Sequence, residues 1–368
     1  MVVTGKTSVI ILAHNKAEMT LRCLTALAPA LAGLDHEVVL RDNGSAENID
    51  CLSDCAGLFK NFRFIRGEEN LSFSIANNQH AREASGDFLL FLNNDVFCRP
   101  DTVRNLIRPL IENNSVGCTG GKLLYLEEKS VQSAGIFQTL WGHPSNYAVR
   151  AHPDDKRIQN TCERFALTGA MLCVSREVFD QVDGFDERYI WGVEDVDLCL
   201  KIRAAGKKVF YCPDAVAIHH ESATLKAVRS TEVFERNYRI YRQTWDYILI
   251  PAEQQYMCNL KYHGIQRVAV FGMGTAARGL SEILNENGIE IAAFTDSNLD
   301  RQGVFLDRPA VPLNMLDQTR YDRIMIASQY FFEIEDLIRQ YSPSVEPLFP
   351  VLDYHETLHI GLFTRKNV

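Results

Sequence analysis

Two acidic clusters about one hundred residues apart offer this chain its clearest chemistry. The first closes the run Phe88-Leu89-Leu90-Phe91-Leu92-Asn93-Asn94-Asp95, which is apolar until it stops on a carboxylate. A buried strand ending in this way delivers an oxygen ligand to the rim of a sheet. There a hard cation and the phosphates it carries are held without burying an unpaired charge. The second cluster is Trp191-Gly192-Val193-Glu194-Asp195, where a carboxylate could take a proton from an attacking hydroxyl. Acids ahead of Leu198-Cys199-Leu200 also suit a helix start, and a helix N-terminus can orient a base, so the two uses are compatible.

Polar residues close two more apolar runs, Ala13-His14-Asn15 and Arg41-Asp42-Asn43-Gly44-Ser45. Asp42 can accept from a base imino N–H or a ribose hydroxyl, or it can close an Asx turn. His219-His220 follows the Pro213-Asp214 turn. Neutral imidazole suits Mn²⁺ and protonated imidazole suits phosphate, while a polar loop is the plain alternative. Farther on, Gly272-Met273-Gly274-Thr275-Ala276-Ala277 links an apolar run to a helical one, and Asp296 stands 24 residues after Gly272. Such a turn fits a second nucleotide site for NAD or another nucleotide, or else a docking, dimerising or degenerate module.

The elements that must position these residues read as follows. Apolar runs at Ser8–Ala13, Glu37–Leu40, Phe62–Ile65 and Phe88–Asp95 alternate with helical stretches at Lys16–Leu34 and Ser74–Ala84. That order implies parallel βαβ units with loops gathered at the carboxyl ends of the strands. Beyond Asp95 a helix is expected from Pro100-Asp101 to Asn113, then strands at Val116–Leu126, Ala166–Val174 and Lys208–Tyr211, the last closing on Pro213, with helices at Arg176–Val182 and Val196–Ala205. The polar stretch Trp141–Asn160 is a candidate substrate lid. Thr231–Tyr262 is an aromatic-rich helix, a connector between domains or a contact for the acceptor. The expected division is residues 1–228, a helical linker 229–264, an α/β domain 265–350 and a tail 351–368.

With 368 residues, 46% hydrophobic and 23% charged, the chain has ample core material for two domains or more. A formal net charge of −9 argues against nucleic-acid binding, which needs clustered Lys and Arg. No apolar run is long enough for a membrane span, and the amino terminus leads straight into a strand without a signal-peptide layout. The expectation is therefore a cytoplasmic protein, with peripheral attachment to the inner membrane face left open for a lipid-linked acceptor. The 10 cysteines are scattered through apolar segments and read as reduced thiols, and Cys51 and Cys55 lack the second pair that a metal knuckle requires.

Taken together, Ser8-Val9-Ile10-Ile11, Asp42-Asn43-Gly44-Ser45, Asn70-Leu71-Ser72-Phe73 with Asn77-Asn78, and Leu92-Asn93-Asn94-Asp95 resemble the successive signatures of family 2 glycosyltransferases. The rhamnosyltransferase-like bacterial members are the nearest in pattern. Gln132-Ser133-Ala134-Gly135, Thr168-Gly169-Ala170, Gly184-Phe185-Asp186-Glu187, Glu194-Asp195-Val196-Asp197 and His219-His220-Glu221-Ser222 continue the series to about Thr224. The resemblance implies an α/β chain with the GT-A nucleotide-diphospho-sugar transferase fold, a mixed, mainly parallel sheet. The glycine turn separately resembles the small Rossmann-like modules found beside bacterial sugar-modifying enzymes, so a small Rossmann-like α/β domain is expected to follow. The family resemblance makes Asp42 the nucleobase-binding acid, Asp95 the last acid of the metal-binding DxD motif with Asn93 in place of the first, and Asp195 the general base. Trp191-Gly192-Val193-Glu194-Asp195 is also similar to the WGxED box of animal galactosyltransferases.

The expected site thus comprises Asp195 and Glu194 for catalysis, with Ala13, Asn15, Asp42, Asn78, Asn93 and Asn94 at the donor. Asp95 and His219 would hold Mg²⁺ or Mn²⁺, Trp191, Gly169 and Ala170 would face the acceptor, and Gly272, Gly274 and Asp296 would form the second nucleotide site. The implied partners are a nucleotide-sugar donor, a glycan or lipid-linked saccharide acceptor, and a second copy docking through the C-terminal domain. Two other readings are a nucleotide-sugar-binding protein that has lost catalysis, and an oxidoreductase built on the glycine turn.

Overall fold

The computed structural model describes residues 4–220, 231–298 and 302–352. Glu221 and Ser222 of the histidine motif and residues 353–368 of the expected tail lie outside the described residues. The chain divides into two compact units, Met1–Ile136 with His152–Thr244, and Phe137–Ala151 with Trp245–Val368.

The first unit contains β1 (Lys6–Ala13), α1 (Ala17–Ala30), β2 (Asp35–Asn43), β3 (Phe62–Gly67), α2 (Phe73–Glu83), β4 (Phe88–Asn93), β5 (Val96–Cys98), α3 (Thr102–Glu112), β6 (Val116–Leu124) and β7 (Val131–Ser133). After β8 (Ile136–Thr139) and β9 (Pro144–Asn146) it resumes with β10 (Cys162–Glu163), β11 (Met171–Ser175), α4 (Arg176–Gln181), α5 (Glu194–Ala204) and β12 (Lys208–His219). The main path of its sheet runs β10-β12-β6-β11-β4-β1-β2-β3. Strands β4, β1, β2 and β3 are parallel to one another, as are β6 and β12, while β11 runs antiparallel between β4 and β6.

The physical causes are local. Strands β1 and β4 are almost wholly buried, so continuous Val, Ile, Leu and Phe serve better than alternation. Helix α1 buries Thr20, Cys23, Leu24 and Leu27, spaced three and four apart, and ends where Pro29 prevents another turn. Ser72 caps α2 by accepting from the Ile75 N–H at 3.3 Å. In the sheet register Ala13 of β1 pairs with Asp42 and Leu12 pairs with Asn93, which brings three polar strand ends to one edge.

Several boundaries differ from the sequence reading. Strand β4 ends at Asn93, and Asn94 and Asp95 form a tight turn into β5. Strand β11 begins at Met171, five residues later than expected, because Ala166 makes only an isolated bridge to Ile136. Strand β12 does not close on Pro213 but continues to His219; the register slips between Cys212 and Val216, so the missing proline N–H falls in a bulge. A Cβ at Gly121 would collide with the Ala215 carbonyl of that bulge, so the close approach requires glycine.

Besides Phe137–Ala151, the second unit takes up the chain again within α6 (Thr231–Tyr262), of which residues up to Thr244 belong to the first. It continues with β13 (Arg267–Phe271), α7 (Thr275–Glu286), β14 (Glu290–Thr295), β15 (Gly303–Phe305), β16 (Arg308–Ala310), β17 (Arg323–Ile326), α8 (Phe331–Tyr341), β18 (Pro347–Leu348) and β19 (Val351–Leu352). Its larger sheet runs β15-β16-β14-β13-β17-β18, parallel except for β15 against β16. Val268, Val270, Leu280, Leu284 and Phe294 lie in its core. The expected lid is divided. Residues of β8 and β9 form a three-stranded sheet with β19, whereas His152, Pro153, Asp154 and Gln159 border a polar cleft on the first unit.

None of the ten cysteines is in a disulfide, and seven of them are buried, as small hydrophobes are. Among the described residues no helix is long and apolar enough to cross a membrane.

Candidate active site

The polar ends of β1, β4 and β12 border a cavity of about 320 Å³ in the first unit. Ten of the expected site residues line it: Ala13, Asn93, Asn94, Asp95, Gly169, Ala170, Trp191, Glu194, Asp195 and His219. Helix α5 starts two residues earlier than expected, which puts Glu194 and Asp195 in its first turn, where backbone N–H groups favour negative charge.

One wall is a carboxylate facing an imidazole. Asp95 is 6% exposed, and its Oδ1 lies 3.2 Å from His219 Nε2. On the far side of the ring, His219 Nδ1 is 2.6 Å from Gln132 Oε1. If Nδ1–H donates to Gln132, a neutral imidazole turns its Nε2 lone pair on the carboxylate, and two acceptors at this distance require a proton or a cation between them. The pair therefore fits a divalent ion that takes its remaining ligands from phosphate and water. Among the described residues no group of three His, Cys, Asp or Glu is placed to hold a metal, and Asp95 with His219 is a two-ligand half-site. His220 contributes its backbone N–H to the Asp95 carbonyl at 3.0 Å, while the ring on Asp95 belongs to His219.

Paired carboxylates form a second wall. Asp195 Oδ2 accepts from the Gly169 N–H and its Oδ1 from the Val196 N–H, each at 2.8 Å. Glu194 Oε2 is buried without a hydrogen-bond partner. Burial raises the pKa of both acids, and for Glu194 the neighbouring Asp195 charge adds to it, taking it to about 8. Backbone donors oppose the rise at both acids without outweighing it, and Glu194, raised to about 8, keeps a proton at neutral pH. The Thr168-Gly169-Ala170 turn links the two walls: the Ala170 carbonyl accepts from the Asn93 N–H at 2.9 Å, while Gly169 donates to Asp195. A Cβ at Gly169 would stand 3.3 Å from that of Asp195.

Other expected residues face elsewhere. Asn15 Oδ1 accepts from the N–H groups of Ala46 and Glu47, binding the β1 and β2 exit loops together. Asn78 spends its amide on Phe185 and Glu187, clamping the Gly184-Phe185-Asp186-Glu187 loop, while Asn77, one helical position away, lines the cavity. Asp42 makes the Asx turn, with Oδ1 accepting from Ser45 N–H at 2.9 Å. Its buried Oδ2 has no hydrogen bond and lies 3.6 Å from Arg66 Nε. Asn94 lines the cavity and also donates to Thr20 Oγ1.

In the second unit, Gly272 takes φ +110° at the β13 turn, with Gly274 next to the α7 start, and Asp296 accepts from the Asn298 N–H. Cavity residues outside the expected set include His14, Lys16, Asn43, Asn70 and Phe73. All stand within or beside quoted motifs, which was the available signal.

The family model described as Glycosyl transferase family 2 matches residues 8–168. That described as the N-terminal domain of galactosyltransferase matches 155–222, and one described as C2185-like, N-terminal, matches 264–344. The O-antigen biosynthesis protein RfbC of Myxococcus xanthus is 34% identical over 46% of this chain and 14% of its own length. An uncharacterised protein, y4gI, of Sinorhizobium fredii is 31% identical over 52% of this chain and 22% of its own, so the chain spans only a small part of either relative. The N-acetylglucosaminyl-diphospho-decaprenol L-rhamnosyltransferase of Mycobacterium tuberculosis is 26% identical over 50% of this chain and 66% of its own. Among solved structures, GalNAc-T7 with UDP, GalNAc and Mn²⁺ superposes with a TM-score of 0.54 at 17% identity, over 78% of this chain and 56% of that one. Residues 8–168 of the first unit thus match the family 2 glycosyltransferase model, and the first unit has the GT-A fold.

Proposed function

We propose that the first unit transfers a sugar from a nucleoside-diphosphate donor, UDP- or dTDP-linked, to a hydroxyl of a glycan or lipid-linked saccharide, with inversion at the anomeric carbon. The observation that carries this reading is a single cavity with a cation half-site on one wall and a pair of buried carboxylates on another. The name of the mycobacterial relative supports the lipid-linked class of acceptor.

In this reading Asp95 and His219 hold Mg²⁺ or Mn²⁺, which when bound supplies the positive charge that the leaving diphosphate needs. Asn93 and Asn94 place amides beside that charge, and Ala13 leaves room for the donor. Asp42 keeps one buried oxygen for the base, and the Asn15 and Asn78 side chains hold the surrounding loops rather than the donor itself. Trp191, Gly169 and Ala170 border the acceptor. Asp195 takes the acceptor proton as its oxygen attacks from the face opposite the diphosphate, and the protonated Glu194 leaves Asp195 as the one charged acid of the pair.

The test is a panel of UDP-, dTDP- and GDP-sugars assayed for thermal stabilisation and for nucleoside-diphosphate release, with Mn²⁺ and with EDTA. A donor that binds the native state raises the melting temperature as it saturates. Stabilisation by one nucleotide class, lost in EDTA, together with turnover supports the reading. Binding without turnover across the panel and a range of saccharide acceptors favours the catalytically lost alternative.

A further inference from the structure

Val193 is a β-branched residue in a backbone conformation that such residues avoid. Its φ is +75° and ψ −11°, at the N-cap of α5 immediately before Glu194, and no side chain caps the helix. Gly192 before it has φ +93°, yet nothing lies within 4 Å of where its Cβ would be, so glycine is required there by conformation and not by space. Two successive left-handed residues reverse the chain. That reversal lets Trp191, Glu194 and Asp195 border the same cavity.

Strain of this kind persists only where the surroundings hold it. The holding group is Asn237 of α6, a fully buried amide. Its Nδ2 donates to both the Trp191 and Gly192 carbonyls, at 2.9 and 3.0 Å. Its Oδ1 faces the Ile190 N–H at 3.5 Å and Arg236 Nη1 at 3.4 Å. Arg236 in turn donates to the Arg188 carbonyl at 2.8 Å. Both amide protons thus go to the two peptide units preceding the strained residue. An amide serving only the core would need no such aim.

We infer that Asn237 is a positioning residue for transfer: by fixing the Trp191 and Gly192 carbonyls it holds Val193 left-handed and so sets the direction in which Asp195 faces the acceptor. This rests on the proposed role of Asp195. The residue touches neither donor nor acceptor in this scheme, and its effect passes entirely through the loop. A shift of about 1 Å in a catalytic group costs on the order of a hundredfold in rate.

The experiment compares Asn237→Ala, Val193→Gly and the double variant. Turnover is measured with the nucleotide sugar giving the largest diphosphate release in the panel, and affinity by calorimetry with UDP or dTDP plus Mn²⁺. Asn237→Ala should lower kcat by about 10- to 100-fold while the nucleotide Kd stays within about twofold. Val193→Gly needs no strain to adopt the left-handed turn, so adding it should restore at least a few-fold of that rate. It should also raise the melting temperature more in the Asn237→Ala background than in the parent. If Asn237→Ala lowers the melting temperature and leaves kcat unchanged, or if the two stability shifts simply add, the proposal is overturned. If Asn237→Ala does not fold, Asn237→Asp, which keeps the volume and replaces the donor by an acceptor, undergoes the same comparison with the same deciding outcomes. Retained transfer in Asp195→Asn would instead overturn the base assignment, and the stability coupling between positions 237 and 193 would still stand.

Discussion

Glu37 and the Glu194–Asp195 pair are buried carboxylates at opposite ends of one α/β unit, and their surroundings drive them in opposite directions. Glu37 lies near the start of β2, at the amino edge of the parallel strands. Burial alone would raise it, but Ser8 Oγ at 2.6 Å, the Ser85 N–H at 2.7 Å, Ser85 Oγ and Lys6 outweigh burial and bring it down to about 2. Over the carboxyl ends, backbone donors lower both Asp195 and Glu194 but do not outweigh burial, Glu194 Oε2 has no hydrogen-bond partner, and both acids rise. The difference separates two uses of a buried acid. A fully satisfied one ties strands together, and an under-satisfied one holds a proton affinity suited to chemistry near neutral pH.

The largest test of that division is Asp195→Asn, which should lower transfer by about 10³-fold and leave the nucleotide Kd nearly unchanged in calorimetry. Retained turnover would place the base elsewhere. Next comes Asp95→Asn, which should weaken UDP or dTDP binding roughly 10- to 100-fold in Mn²⁺ and have little effect in EDTA. Equal losses in both conditions would mean that Asp95 acts on the nucleotide without a cation.

At the other edge, Glu37→Gln should cost about 2 kcal/mol at pH 7, read by urea denaturation, without altering kcat. Because the folded pKa is below the unfolded one, this stability is present above roughly pH 4.3 and lost as pH falls toward about 2. The gap between parent and variant should therefore close over that window. A gap that is constant with pH would assign the loss to packing and not to charge.

How legible these regions were in the sequence follows from the same physics. Continuous apolar runs ending in Asn and Asp exposed β1, β2 and β4 and the edge they share, because a buried parallel strand permits little else. Asp95 was legible for the same reason, whereas Asp195 was read from an acidic cluster at a helix start and His219 from its place in the series of family-like motifs. Asn78 was not distinguishable from Asn77, since one residue on a helix turns the side chain by about 100° and both asparagines are common there. Asn15 and Asp42 use side-chain chemistry that serves loop structure as readily as a ligand: Asp42 closes a turn, and Asn15 ties two loops together. The run of β12 past Pro213 was hidden because a bulge removes the objection that proline raises. Asn237 carries no pattern at all. Its importance appears only once α6 is set against the Trp191-Gly192 loop.

The smallest effect separates the members of the acidic pair. At neutral pH Glu194 is the protonated partner, and glutamine is close to a copy of that state in shape and charge. Glu194→Gln should hence keep kcat within about tenfold of the parent at pH 7, far less than the loss at Asp195. The consequence for stability has the opposite sign to that at Glu37. Glu194 has a folded pKa raised above its unfolded value, so its contribution is fully present at low pH and is lost as pH rises through about 8, where a second buried charge appears. The parent should lose melting temperature as pH rises from about 4.3 to about 8 and level off above that, and Glu194→Gln should lose less, by a few degrees in differential scanning fluorimetry. If the two curves run parallel, Glu194 does not keep its proton at neutral pH, and the proton shared by the pair resides on Asp195, which would then be unable to act as a base until the solution is alkaline.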